Sequence, residues 1–131
     1  MFTLFVLDSF GFIVRPATET DTGQPRVEPV CGYLVIHPEL AVVFDTGIGA
    51  VDPETEAHYQ PQRRSIELAC RGARCSIDAI EVVVNSHLHF DHCGANPRFE
   101  GRPIVVQAAE LEDARQAGYT VPALVDFEHT R

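Results

Sequence analysis

The feature that most constrains the fold of this chain is a cluster of metal-ligand residue types that directly follows a short apolar strand. His87, His89, Asp91 and His92 fall within six residues. The segment before them, 81–85, reads Glu-Val-Val-Val-Asn and is typical of a strand buried on both faces. The buried strand must therefore end at a place where several polar side chains can lie close together. We therefore expect an α/β or α+β fold with a site carried on a loop at a sheet edge.

The spacing of these side chains suits two metal ions. His87 and His89 are two residues apart, so in extended backbone their side chains leave the same face roughly 6–7 Å apart. Their nitrogens can converge on one ion at about 2.0–2.1 Å. If the chain turns at Phe90, the adjacent Asp91 and His92 can point to a second ion roughly 3.5–4 Å away, as in two-metal hydrolytic sites. This ligand set suits Zn²⁺ best and is also compatible with Fe, Co or Mn.

Two plainer interpretations compete with a catalytic centre: a histidine-rich surface loop and a structural zinc site. A structural site more usually recruits cysteine and closes four ligands. The four cysteines do not follow a zinc-ribbon spacing, and we expect them to be reduced thiols; they are Cys31, Cys70, Cys75 and Cys93. The catalytic interpretation is therefore favoured.

Around this segment the sequence predicts strands that alternate with helices. Strands are expected near 3–7, 32–37, 40–45, 81–85 and 103–107, and helices near 62–72 and 108–117. The segments 15–29 and 48–60 are polar and are expected to be loops, and 118–131 carries no pattern. The cluster at 87–92 should form a loop at the carboxyl end of the strand at 81–85.

Length and charge narrow the class of protein and its partners. The 131 residues amount to one ordinary domain, and no apolar stretch approaches the ~20 residues of a membrane-spanning helix. Ten arginines, no lysine and 19 acidic residues give a net charge of −9, so the surface repels phosphates on average. The amino terminus lacks the basic region of a secretory signal. We expect a cytoplasmic protein that binds a small molecule and neither nucleic acid nor a membrane.

The segment Asn85-Ser-His-Leu-His-Phe-Asp-His-Cys-Gly94 resembles the HxHxDH motif of the metallo-β-lactamase-fold superfamily. Its flanks resemble, more narrowly, the quorum-quenching N-acyl-homoserine lactone lactonases. These flanks are Phe44-Asp45-Thr46-Gly47, Asn96-Pro-Arg-Phe99, and Pro103-Ile-Val-Val-Gln107 leading into Glu110. The resemblance runs from about residue 4 to residue 127. Ala95 departs from the pattern, since many relatives have a second glycine there and a freer backbone.

The resemblance implies a role for each matching residue. His87 and His89 would bind the first metal, and Asp91 and His92 the second. Asp91 would also act in catalysis by orienting the nucleophile or accepting its proton. Asp45 would hold a ligand or the metal-binding loop in place from behind. The remaining histidines are expected to be exposed and without a role; they are His37, His58 and His129.

The activity implied is hydrolysis of a lactone or a similar small ester through a metal-bound hydroxide, with two zinc ions in the intact protein. A thioester hydrolase of the glyoxalase II kind shares the motif and is one alternative; a non-catalytic metal-binding fragment is another. Members of the superfamily supply a further His, a bridging Asp and a last His from later strands, and only His129 follows His92 here. We therefore expect residues 1–131 to be the N-terminal half of an αββα sandwich, inactive alone and prone to self-association.

Overall fold

Nine strands and three helices make up the regular structure of the residues that the computed structural model describes, which are 1–7, 9–125 and the backbone of 129–130. The strands are β1 (Thr3–Leu7), β2 (Gly11–Arg15), β3 (Arg26–Pro29), β4 (Gly32–His37), β5 (Leu40–Phe44), β6 (Gln62–Arg63), β7 (Val82–Val84), β8 (Ile104–Val105) and β9 (His129–Thr130). The helices are α1 (Pro53–Tyr59), α2 (Ile66–Gly72) and α3 (Ala108–Ala114). None of the helices in the described ranges is long and apolar enough to cross a membrane.

The larger of two sheets places the segment with the predicted metal ligands, residues 87–92, at one edge. Its strand order is β1-β4-β5-β7-β8-β9, antiparallel from β1 to β5 and parallel from β5 onward. Because β5 and β7 run parallel, their carboxyl ends meet at the same edge of the sheet. The turn Asp45-Thr46-Gly47 follows β5 at that edge, and the segment 85–92 follows β7. The predicted mixed α/β fold, with this loop after the strand at 81–85, is confirmed.

One side of the larger sheet, the covered face, is packed beneath helix α2. Leu34, Val43 and Val83 lie on it in neighbouring strands and are each 0% exposed. They share one core cluster with Ile66 and Cys70 of α2. Burial of these side chains is the main source of stability that the described residues provide.

The other side, the open face, consists of the alternate residues of the same strands: Leu4, Val6, Tyr33, Val35, Val42, Phe44, Val82 and Val84. The register aligns Val6 with Tyr33, Tyr33 with Phe44, and Phe44 with Val84, so these side chains form a continuous apolar surface. Val6 is 59% exposed and Tyr33 is 49% exposed. The prediction that the strand at 81–85 is buried on both faces is wrong for this chain. Val82 and Val84 are only half-buried, because no described element covers them.

Two segments predicted to be loops contain regular structure. The segment 48–60 includes α1, which begins after Asp52, whose side chain accepts a hydrogen bond from the Thr55 N–H at 2.9 Å. Helix α1 has no buried residue, so it lacks the apolar periodicity on which the prediction depended. The segment 15–29 includes β3, which pairs with β2 in a second, three-stranded sheet of order β3-β2-β6.

Several predicted boundaries also shift. The helix expected at 62–72 begins only at Ile66, after the Ser65 side chain caps the Leu68 N–H, and Gln62–Arg63 instead pairs with β2. The strand expected at 103–107 shortens to Ile104–Val105, and the helix expected at 108–117 ends at Ala114. Ends of short elements depend on tertiary hydrogen bonds, and these leave little trace in a local pattern.

Candidate metal centre

Short backbone contacts join the loop after β7 to the turn after β5. The Thr46 N–H donates to the His92 carbonyl at 2.7 Å, and the Gly94 N–H donates to the Gly47 carbonyl at 2.7 Å. A Cβ atom at Gly94 would lie 1.9 Å from the Gly49 nitrogen, so only glycine permits this approach. The loop is thus fixed against the turn after β5 at the carboxyl end of the predicted ligands.

A buried network of polar side chains also connects the loop after β7 to the turn after β5. Thr46 Oγ1 donates to Asn96 Oδ1 at 2.9 Å and accepts from the Ala95 N–H at 3.1 Å. Asn96 Nδ2 donates to Asn85 Oδ1 at 2.8 Å, and Thr46, Asn85 and Asn96 are all buried. Satisfied buried networks favour one arrangement of the backbone. Ala95 has a φ of −99°, so the alanine is accommodated without a glycine-like conformation.

The structure brings the four predicted ligand side chains together. The His87 ring centroid lies 4.8 Å from that of His89 and 4.1 Å from that of His92. His92 Nε2 lies 3.5 Å from Asp91 Oδ2. All four side chains line one cavity of about 560 Å³. A single loop therefore gathers three imidazoles and one carboxylate at the wall of a pocket large enough for a small molecule.

Three imidazoles and one carboxylate are suitable zinc ligands by type, although their side chains do not converge on one point. Among the described residues, no group of three or more His, Cys, Asp or Glu side chains is arranged so that it could hold a metal ion. Imidazole and carboxylate are nonetheless the ligands of catalytic zinc sites. The second nitrogen of His92 also contacts a carboxylate, that of Asp45, as is usual for ligating histidines. The residues fit the ion by type, and their role as ligands stays a prediction.

Asp45 contacts two parts of the loop from behind. Its Oδ1 accepts the Ser86 N–H at 2.8 Å, and its Oδ2 accepts the Ser86 hydroxyl at 2.7 Å and lies 3.0 Å from His92 Nδ1. Asp45 has a φ of 61°, in the left-handed region that costs a non-glycine residue free energy. This strained turn points the carboxylate toward the loop, and the supporting role of Asp45 stays a prediction.

Burial and hydrogen bonding shift the pKa values at the centre in opposite directions. Burial raises the pKa of Asp45, but hydrogen bonds from His92 and Ser86 outweigh it and leave that pKa below its usual value. Burial lowers the pKa of His92, but the Asp45 hydrogen bond and the Asp91 charge raise it overall. The pKa of His87 is lowered by burial and by the neighbouring His92 and His89. Asp45 is therefore ionised at neutral pH, and His87 is neutral.

Glu110 and Tyr119 contact the loop after β7, and the local sequence pattern did not identify either contact. Glu110 Oε1 on α3 accepts the Leu88 N–H at 2.7 Å and the Tyr119 hydroxyl at 2.7 Å. The Tyr119 ring lies 4.8 Å from the His89 ring, and the Glu110 hydrogen bond with burial raises the pKa of Tyr119 to about 12. Glu110 and Leu88 are 22 residues apart, so no local spacing could have signalled their contact.

The other walls of the cavity combine aromatic and polar side chains. Tyr59 and Phe90 lie with ring centroids 5.5 Å apart, and further lining residues include Ile13, Arg15, Asp52, Thr55 and Val121. His58 is exposed, as predicted, but it is paired with Glu19 at 2.6 Å. His129, also predicted to have no role, has a side chain outside the described residues.

Comparison with known sequences places this centre in a family. The model of the metallo-β-lactamase superfamily matches residues 26–129. An N-acyl homoserine lactonase from Bacillus cereus is 52% identical in an alignment covering 66% of this chain and 40% of the relative. N-acyl homoserine lactonase AttM from Azorhizobium caulinodans is 35% identical over 66% of this chain and 37% of its own length. The chain thus spans about two-fifths of the length of the curated relatives it matches.

Solved structures share the fold over most of the chain. A variant of AiiA from B. thuringiensis with N-decanoyl-L-homoserine at its active site has a TM-score of 0.80 and 21% identity, covering 98% of this chain and 59% of that one. AidC, a dizinc quorum-quenching lactonase, has a TM-score of 0.65 and 20% identity, covering 95% of this chain and 53% of that one. At such identities the likeness shows the fold alone. The family model, which matches residues 26–129, shows that the chain belongs to the metallo-β-lactamase superfamily.

Proposed function

We propose that this chain belongs to a metal-dependent hydrolase that opens the ring of N-acyl homoserine lactones. The observation that carries the proposal is that His87, His89, Asp91 and His92 all line one cavity of about 560 Å³. The sequence relatives described above are N-acyl homoserine lactonases, and one solved relative holds N-decanoyl-L-homoserine at its active site. The thioester hydrolase alternative is not favoured, since these relatives are lactonases.

Within this proposal, His87 and His89 hold one ion, and Asp91 and His92 hold a second. Zinc is the ion that the donor set favours, and Fe, Co or Mn would also suit it. When bound, zinc lowers the pKa of a coordinated water and polarises the carbonyl of an ester. The chain's own contribution is to fix the positions of the ligands, which Asp45 does by contacting Ser86 and His92.

Asp91 and the aromatic wall have separate tasks in the proposed reaction. The Asp91 carboxylate lies at the cavity wall, 3.5 Å from His92 Nε2, where it can accept the proton of an attacking water. Tyr59 and Phe90 offer apolar surface to an acyl chain and exclude water from it. The substrate proposed is therefore a small lactone with an apolar acyl group.

We also propose that residues 1–131 form the N-terminal half of an αββα sandwich, in which the larger sheet is one of the two central layers. The uncovered open face supports this proposal, since a second sheet would pack there in such an architecture. The share of the relatives that the chain spans, 37–40%, also supports it. On this proposal residues 1–131 alone bind zinc weakly and hydrolyse little lactone. A cytoplasmic location, and the lack of a nucleic acid or membrane partner, remain predictions from charge and composition.

The test is a His89→Ala substitution in the intact protein, with zinc content and ring opening of N-hexanoyl homoserine lactone measured side by side. We expect the variant to lose bound zinc and hydrolysis together, because His89 is half of the first ligand pair. His37→Ala is the matched control, since His37 is the last residue of β4, lies outside the cavity and should change neither reading. Full zinc content and full activity in His89→Ala would contradict the proposed function.

A further inference from the structure

We propose that Tyr119 is a positioning residue for His89, and that Glu110 holds Tyr119 in place for this task. The Tyr119 ring, tethered through its hydroxyl, keeps the His89 side chain in one rotamer at the cavity wall before any metal binds. The inference deepens the proposed function and rests on it for the identification of His89 as a ligand. The packing that supports it is independent of the reaction.

His89 differs in its surroundings from the other two predicted histidine ligands. His87 Nδ1 lies 3.0 Å from the Ser86 hydroxyl. His92 Nδ1 lies 3.0 Å from the Asp45 carboxylate. No residue in the described ranges forms a hydrogen bond with either ring nitrogen of His89, and His89 is exposed. An exposed side chain without such a partner samples several rotamers unless packing restricts it, so the orientation of His89 must come from the rings beside it.

The ring of Tyr119 packs against that of His89. The two centroids lie 4.8 Å apart with 41° between the ring planes, within the contact range of aromatic pairs. The His87 ring lies at the same distance from His89, with 80° between the planes. His87 is itself a predicted ligand, whereas Tyr119 is not. Tyr119 is therefore the neighbouring ring that can hold His89 without a ligand role of its own.

Glu110 fixes the position of Tyr119. The Tyr119 hydroxyl donates to the Glu110 carboxylate, 2.7 Å from Oε1 and 2.8 Å from Oε2. Gly118 has a φ of 82°, a conformation that glycine adopts without strain, and it turns the chain back after helix α3 has ended. Tyr119 also packs against the buried cluster that contains Leu88 and Leu111. A ring that is both bound at its hydroxyl and packed against a core has little freedom to rotate.

The same carboxylate links this ring to the backbone between the first two predicted ligands. Glu110 Oε1 accepts the Leu88 N–H at 2.7 Å, and Leu88 lies between His87 and His89. Glu110 thus fixes the backbone that carries His89 and, through Tyr119, the His89 side chain. A ligand held in one rotamer loses less freedom when the ion binds, so this arrangement raises metal affinity. Loss of a residue that supports a ligand commonly costs about 10–100-fold in that affinity.

NMR of the metal-free, ¹³C,¹⁵N-labelled 131-residue chain tests the proposal without any reaction. Couplings from the backbone nitrogen and carbonyl carbon to Cγ report whether χ1 of His89 holds one rotamer or averages over several. We expect one rotamer in the wild type, with nuclear Overhauser effects between the His89 and Tyr119 rings.

Three substitutions distinguish positioning from a general loosening of the loop. Tyr119→Leu should average χ1 of His89, while His92 keeps its rotamer because Asp45 still contacts it. Tyr119→Phe keeps the ring and loses its bond to Glu110, so its His89 couplings should be intermediate. Tyr33→Leu is the matched control, since Tyr33 lies on the open face and should leave His89 unchanged.

Two NMR results would overturn the proposal: averaged His89 couplings in the wild type, or a folded Tyr119→Leu chain in which His89 keeps its wild-type couplings. If Tyr119→Leu does not fold, Tyr119→Phe decides, and wild-type couplings in that variant would reject the tether to Glu110. Zinc titration of the intact protein should show a loss of about tenfold in affinity for Tyr119→Leu and a smaller loss for Tyr119→Phe. Unchanged affinity in Tyr119→Leu would also overturn the proposal. An intact protein that opens no lactone ring, with His89 averaged in Tyr119→Leu, would reject the proposed function and support the positioning role.

Discussion

The covered and open faces of the larger sheet are built from the same kinds of residue and differ in what lies over them. Leu34 on the covered face is 0% exposed, whereas Leu4 on the open face is 55% exposed. The two leucines lie in the hydrogen-bonded neighbours β4 and β1. Side-chain alternation sends one to each face. The difference in their burial therefore arises from packing partners and not from hydrophobicity or strand propensity.

Apolar residues at alternate positions of a strand therefore indicate a sheet face that can be covered. They do not indicate whether another element covers it. Helix α2 and the segments beside it exclude water from the covered face, and no described element does so for the open face. An exposed apolar surface on the scale of several strands commonly marks a site of association. The two faces should consequently respond very differently to the same substitution.

The largest effect is expected from truncating a leucine on each face. Leu34→Ala removes a fully buried side chain and should lower the free energy of unfolding of the 131-residue chain by about 2–5 kcal/mol. Leu4→Ala, its matched control, should cost under about 0.5 kcal/mol, because most of the side chain is already in water. Urea denaturation followed by circular dichroism measures both. If both substitutions lowered the free energy of unfolding equally, the open face would have to be covered in solution.

A smaller effect should come from Glu110, which accepts a hydrogen bond from the loop after β7. Glu110→Ala leaves the Leu88 N–H without its acceptor, and Leu88 is 0% exposed, so we expect a loss of about 1–3 kcal/mol. Glu112→Ala removes an exposed carboxylate from the same helix and should change stability little. Hydrogen exchange of the Leu88 amide should accelerate only in Glu110→Ala. Unchanged exchange in that variant would remove Glu110 from the contacts that hold the loop.

The smallest effect on stability should come from charging the open face. Val6→Lys should change the free energy of unfolding by no more than about 0.5 kcal/mol, since Val6 is 59% exposed. It should reduce self-association of the 131-residue chain, because a lysine on the open face disfavours burial against a second copy. Val27→Lys is the control, since Val27 is 61% exposed but lies in the smaller sheet. Sedimentation velocity over rising concentration should show less association for Val6→Lys alone.

The sequence predicted five of the nine described strands and the position of the loop at 87–92, because these segments have strong local signals. Strand β4 follows from the apolar run Tyr-Leu-Val-Ile, and the loop follows from four ligand-type residues within six positions. Helix α1 was missed because none of its residues is buried. The start of α2 was misplaced because Gln62–Arg63 pairs with β2, a contact that no local pattern records.

Residue identities and spacing predict three imidazoles and one carboxylate within six residues, in an order that allows two metal positions. The way those groups are held depends on contacts between residues far apart in the chain. The Asp45 carboxylate reaches Ser86 across 41 residues, and Glu110 reaches Leu88 across 22. The sheet also decided which apolar face is buried. Residue identity and spacing set which bonds a side chain can form. Asp45 meets Ser86 because the parallel strands β5 and β7 end at the same edge, and burial there makes an unpaired polar group costly.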